Sequence, residues 1–194
     1  MPATPHWAGF NVHLGADILR EAAALTTHIE GQVIPSNVPG NLAMATRQGA
    51  GVVLGMAPWN APVILAVRAI ATPLTCGNTV ILKGSELSPA TQGLIIDALA
   101  AAGFPSGVVN YLTCAPQDAP TVVETLIAHH GVRRVNLRGW FSGNNHAQYV
   151  ARPNGVTPGL SPESALRASS RRQIAAIIAA NRCSTPINGY SRHH

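Results

Sequence analysis

A lone lysine, Lys83, closes the apolar run Thr79-Val-Ile-Leu-Lys83, and a carboxylate, Glu86, follows three residues later. A cation and a carboxylate on one short loop can clamp the hydroxyls of a ribose and a neighbouring phosphate or adenine edge. The same two residues also read as a solvated surface pair of little energetic value. Asn60 ends another apolar run, two residues before Pro62. Its amide can donate to an oxyanion developing on a reacting carbonyl, and an asparagine there serves equally as a helix N-cap. Trp59 beside it, taken alone, reads as a core residue. Cys76 and Cys114 have no base close in sequence and read as buried apolar thiols rather than nucleophiles. The pair His129-His130 falls at the end of a helical stretch, where an imidazole suits the negative pole of the helix dipole. Arg133-Arg134 reads as a solvated edge.

The elements that must position these groups are legible in the periodicity. Phe10, Leu14, Ile18, Leu19, Ala22 and Leu25 recur at helical spacing, which predicts an amphipathic helix over Gly9 to Thr27. Gly31 to Gly40, with two prolines, reads as an extended connection. Short apolar runs and helical stretches then alternate. Strands are expected at Gly51–Ala57, Thr79–Lys83, Val108–Leu112 and Val132–Asn136. Helices are expected at Pro62–Leu74, from Ser88-Pro89 to Ala102 with a stop at Gly103, and at Ala119–His129. Strands that are near-continuous apolar runs, separated by helices, predict an α/β fold with a parallel, doubly wound, Rossmann-like sheet. In such a sheet ligands gather at the carboxyl ends of the strands. Those ends are Ala57-Pro58-Trp59-Asn60, Lys83-Gly84-Ser85-Glu86 and the region after Asn136.

Composition removes several classes. Of 194 residues, 46% are apolar, enough for a buried core, and only 11% are charged. The thirteen basic side chains outnumber eight acids to give +5, a balance that by itself suggests nucleic acid. Residues 1–136, however, carry six basic and seven acidic side chains, and residues 137–194 carry seven arginines against Glu163. The excess is confined to a tail without aromatic platform or recognition helix, so no nucleic-acid partner is expected. Three cysteines without a CxxC form neither a disulfide framework nor a zinc site, and no metal is expected. The first residues lack a basic and apolar leader, and the most apolar stretch, Ala61–Cys76, is broken by Arg68 and Pro73. A cytoplasmic protein without membrane partner is the expectation.

Taken together, Gly55-Met-Ala-Pro-Trp-Asn60, Pro73-Leu-Thr-Cys-Gly-Asn-Thr79, Val80-Ile-Leu-Lys-Gly-Ser-Glu86 and Gly103-Phe-Pro-Ser-Gly-Val-Val-Asn110 resemble the aldehyde dehydrogenase superfamily. Gly31-Gln-Val-Ile-Pro-Ser-Asn-Val-Pro39, Ala61-Pro-Val-Ile-Leu65 and Ala115-Pro-Gln-Asp-Ala-Pro120 are similar to its aromatic branch, the salicylaldehyde, vanillin and benzaldehyde dehydrogenases. The resemblance implies that Asn60 is the oxyanion-hole asparagine and that Lys83 and Glu86 bind the adenosine ribose of NAD. It also implies that Ala57, Pro58 and Trp59 form the loop passing under the cofactor. The implied reaction oxidises an aromatic aldehyde to its acid through a cysteine thiohemiacetal, with NAD as cofactor, in a homo-oligomeric family. The domain reading follows: residues 1–50, an N-terminal helix and extended connection; residues 51–136, an NAD-binding α/β segment; residues 137–194, an Arg-, Gly- and Pro-rich tail.

The tail departs from the family pattern. Where the family turns through a Phe-Thr-Gly-Ser-Thr-type segment, this chain has Leu137-Arg-Gly-Trp-Phe-Ser-Gly143. The family's Glu-Leu-Gly-Gly-Lys segment with its general base is missing, and Cys183, in Asn-Arg-Cys-Ser-Thr, is not in the nucleophile's context. The expectation is a truncated member without aldehyde oxidation of its own, or else a non-catalytic nucleotide-binding or interaction module. Codons for Trp140-Phe141 and Arg171–Ala175 can encode Gly-Ser and Gly-Gly-Lys one base out of register. The tail therefore reads as the product of a shifted frame beginning near residues 137–139.

Overall fold

A computed structural model describes residues 4–137 of the 194. The readings placed on the tail, including a helix over Arg171–Asn181, the frame shift and Cys183, lie outside the described residues. The chain opens with α1 (Pro5–Ala24) and a single 3-10 turn, Leu25–His28. Two short strands follow, β1 (Gln32–Ile34) and β2 (Ala43–Ala45), paired antiparallel. Strand and helix then alternate: β3 (Val52–Met56), α2 (Pro62–Thr75), β4 (Thr79–Lys83), α3 (Pro89–Ala101), β5 (Val109–Leu112), α4 (Ala119–Ala128) and β6 (Val132–Leu137).

Strands β3 to β6 are parallel in the order β5-β4-β3-β6. The chain moves outward from β3 through β4 to β5, then returns to the other side of β3, so the order reverses between β3 and β6. Alternation along β3 assigns its two faces. Val53 packs with Ala66, Val67, Ile70, Ile95 and Leu99 of α2 and α3. Val52, Leu54 and Met56 pack with Val122, Leu126 and Ile127 of α4. Helices therefore cover both faces, and the doubly wound sheet expected from the alternating pattern is present. Helix α1 lies against α2 on the first face, where the Thr75 hydroxyl donates to the Ala22 carbonyl at 2.9 Å.

Register brings the four strand ends into one row. Leu112 stands opposite Lys83, Lys83 opposite Met56, and Met56 opposite Leu137. A proline inside a helix removes the amide that would bond four residues back. In α2 the proline is Pro73, and the carbonyl it leaves is that of Ala69. The Asn136 amide of β6 donates to that carbonyl at 2.9 Å. Asn78 closes the other end of the same connection. Its Nδ2 donates to the Pro73 carbonyl at 2.9 Å, and its Oδ1 accepts from the Gly51 amide at 3.1 Å. The segment Pro73–Thr79 thus turns helix into strand through backbone and side-chain bonds that Asn78 and Asn136 make to backbone groups.

Three expectations need correction. Gly31–Gly40 is not merely a connection: Gln32–Ile34 pairs with Ala43–Ala45, although none of β1 is buried and no hydrophobic face marks it. The first helix begins at Pro5 rather than Gly9, because Thr4 accepts from the Trp7 amide at 3.3 Å and Pro5 suits the first turn. The last strand is not a fully covered run. Arg133 and Arg134 lie within it and are exposed, as befits the outermost strand of the described sheet.

Candidate functional site

Loops leaving the carboxyl ends of β3, β4 and β5 meet at one edge of the sheet, and the candidate residues stand on them. Lys83 is the last residue of β4 and is only 4% exposed. An ammonium withdrawn that far from water requires a partner. Its Nζ donates to Glu86 Oε1. The two are not the solvated surface pair of the alternative reading: both side chains are largely withdrawn from solvent. Burial pushes the Glu86 carboxyl up, but the bond and charge of Lys83, a backbone amide and the Cys114 thiol together hold it below its ordinary value of 4.5. Glu86 is therefore a carboxylate at neutral pH.

Cys114, just past β5, donates toward Glu86 Oε1 at 3.8 Å. Burial raises its thiol above the ordinary 9.0; Lys83 opposes that rise, while Glu86 and Asp118 add to it. Cys114 is thus half-buried in a charged setting rather than an apolar one. Cys76, at the end of α2, is exposed. Neither matches the buried apolar thiol that the sequence suggests.

On the β3 loop, Ala57 is buried, Pro58 is half-buried, and Trp59 and Asn60 are exposed. Trp59, at 58% exposure, is no core residue. The capping alternative for Asn60 fails as well. The residue before α2 is Ala61, no side chain caps that helix, and the Asn60 amide makes no hydrogen bond among the described residues. The amide remains available to a ligand oxygen. His129, at the end of α4, accepts from the Gly131 amide through Nδ1 at 3.0 Å, and its ring stacks on His130. It shapes the turn into β6.

Two residues of the site escape the sequence reading. Gln92 of α3 is 0% exposed and bonds to both the β3 and the β4 loops. Tyr111 of β5 donates from its hydroxyl to the Pro89 carbonyl at 2.7 Å and fills the space above Gly84, where any Cβ would overlap its ring. Both lie at unremarkable positions of a helix and a strand, and no motif points to them. Among the described residues no group of acidic, histidine or cysteine side chains could hold a metal ion, and no helix is long and apolar enough to cross a membrane.

The family model that matches is the aldehyde dehydrogenase family, over residues 3–152. A vanillin dehydrogenase of Pseudomonas sp. strain HR199 is 65% identical over 144 residues, which is 74% of this chain and 29% of that protein. A salicylaldehyde dehydrogenase from Pseudomonas putida G7, solved with salicylaldehyde, superposes with a TM-score of 0.66 at 49% identity, covering 69% of this chain and 28% of that one. The NAD+ complex of a Bacillus cereus aldehyde dehydrogenase superposes with a TM-score of 0.60 at 29% identity, covering 66% of this chain and 26% of that one. The chain spans under a third of the length of these relatives.

Proposed function

The chain belongs to the aldehyde dehydrogenase family, and from that premise we propose that residues 51–136 are the adenosine-binding part of an NAD-dependent aromatic aldehyde dehydrogenase. The observation that carries this is the pair Lys83–Glu86, closed on itself at the carboxyl end of a central parallel strand. Its donor set fits the ribose of a dinucleotide. A carboxylate accepts from vicinal hydroxyls, and an ammonium beside it donates to a ring or hydroxyl oxygen. A carboxylate at that position also disfavours a 2′-phosphate, which makes NAD the expected cofactor rather than its phosphorylated form. The names of the relatives support an aromatic aldehyde such as vanillin or salicylaldehyde as the substrate.

Each residue then has a task. Glu86, held ionised by Lys83, orients the ribose; Lys83 keeps Glu86 in place and adds its own donor. Ala57, Pro58 and Trp59 form the floor beneath the cofactor, with the exposed indole available to it. Asn60 directs its unpartnered amide at the aldehyde oxygen and stabilises the charge that develops there when a nucleophile adds. NAD, when bound, supplies the hydride acceptor. The nucleophile and the general base have no counterpart in the sequence contexts of this chain, so these 194 residues do not oxidise aldehydes by themselves. Homo-oligomerisation and a cytoplasmic setting belong to the same reading.

Calorimetric titration with NAD, paired with an absorbance assay for NADH, tests it. The expected result is saturable NAD binding that Lys83→Ala abolishes, with no NADH formed from salicylaldehyde or vanillin. Aldehyde-dependent NADH production would overturn the inactive reading; absence of NAD binding would overturn the cofactor reading. A non-catalytic interaction module is the second reading. The exposed Trp7, Phe10, Val33 and Met44 on α1 and the β1–β2 pair favour it.

A further inference from the structure

Gln92 is the fourth residue of α3 and is fully shielded from solvent. A primary amide in that position must satisfy two donors and an acceptor within the protein. It does so across two loops. Its Oε1 accepts from the Ser85 amide at 2.7 Å, and its Nε2 donates to the Pro58 carbonyl at 3.1 Å and to the Ala57 carbonyl at 3.4 Å. Ser85 directly precedes Glu86, and Pro58 stands two residues before Asn60. One side chain therefore spans from the loop carrying the carboxylate to the loop carrying the exposed Trp59 and Asn60.

The loops have few other ties to one another. Strands β3 and β4 stop pairing at Met56 and Lys83, and beyond those residues no backbone bond joins the two loops among the described residues. The β4 loop is fixed from its other side. The Gly84 amide donates to the Leu112 carbonyl at 2.9 Å, and Tyr111 packs over Gly84. Among the described residues, the hydrogen bonds that tie the β3 loop to that fixed body come from Gln92, beside the packing of Ala57 in the core. An apolar side chain of equal size would fill the position without desolvating an amide, but it could not set a separation between loops.

We propose that Gln92 is a positioning residue that registers the β3 loop against the β4 loop, so that one dinucleotide reaches Glu86 and the Trp59–Asn60 segment together. This rests on the cofactor reading given above. An amide fixed by three bonds sets the separation between the two halves of the site. A site held in this way binds without having to order its loops first.

The test uses the full chain, NAD as probe, and two variants of similar volume. Gln92→Met removes all three bonds. Gln92→Glu keeps an acceptor for the Ser85 amide but turns a carboxylate oxygen toward the Pro58 and Ala57 carbonyls. Amide hydrogen exchange is read residue by residue alongside NAD affinity. Both variants are expected to weaken NAD by about tenfold or more while β3 and β4 keep their protection. Ser85 exchanges faster in Gln92→Met and stays slow in Gln92→Glu, a split that general loosening would not produce. NAD affinity within about twofold of the parent in a folded Gln92→Met variant, or unchanged exchange at Ser85, overturns the proposal. If the parent chain binds no NAD, the cofactor reading has failed, and Ser85 exchange alone decides whether Gln92 holds the loops. If Gln92→Met does not fold, the affinity of Gln92→Glu decides.

Discussion

Glu86 shows how a side chain is set by its neighbours rather than by its type. Its carboxyl is held below 4.5 in the folded chain, against the pull of burial, chiefly through Lys83. A carboxylate whose folded value is depressed adds stability that is fully present above its unfolded value and fades as pH falls through the folded one. Glu86→Gln is therefore expected to cost about 2 kcal/mol near neutrality, where it leaves the buried Lys83 without a charged partner. That deficit should narrow as pH falls from 4.5 through the lower folded value, and denaturant unfolding of both proteins across that range measures it. A constant gap would contradict the pairing. Thiol reactivity gives a second check at this scale. Cys76 is exposed, whereas Cys114 is half-buried with its thiol raised, so iodoacetamide at neutral pH should label Cys76 well before Cys114 by peptide mass spectrometry. Sequence alone marks Lys83, Glu86 and Asn60, because their types and strand-end positions are unusual. It could not foresee that Cys114, 28 residues from Glu86, shares its carboxylate, since that contact exists only once β5 lies beside β4.

Among the elements, the alternation of apolar runs with helical stretches carries most of the legible information. The strand over Thr79–Lys83 stands where expected, and α2, α3 and α4 differ from expectation only at their ends. The β1–β2 pair leaves no mark in the sequence because its residues are exposed or half-buried and show no period-two pattern. Pro73 falls inside the helix expected over Pro62–Leu74 and lies inside α2 in the fold, where the deficit it creates is met by Asn136 from β6. That assignment makes a prediction. Asn136→Ala should destabilise the chain by about 1–3 kcal/mol by leaving the Ala69 carbonyl unmet. In a Pro73→Ala background the helix regains its own donor, and the same substitution should cost clearly less. Equal costs in both backgrounds, measured as a double-mutant cycle, would show that the two residues act independently.

For the whole molecule, the placing of four strand ends in one row matters most. Leu112, Lys83, Met56 and Leu137 align, and the loops beyond three of them carry Cys114, Glu86 and Asn60. The doubly wound architecture and its candidate edge follow from the strand–helix pattern and the carboxyl-end rule. The strand order and the bonds of Gln92 do not, because both depend on which elements pack together rather than on their local sequence. The +5 charge of the sequence is concentrated in residues 137–194; within the described residues, Lys83 is the basic residue on which the proposed site depends. The central claim is that Lys83 and Glu86 hold the adenosine ribose of NAD. Saturation-transfer NMR of NAD with the full chain tests it most directly. The account predicts the strongest transfer to adenosine ribose protons, weaker transfer to nicotinamide protons, and loss of both in Lys83→Ala. Transfer centred on the nicotinamide, or transfer unchanged by that substitution, would contradict it.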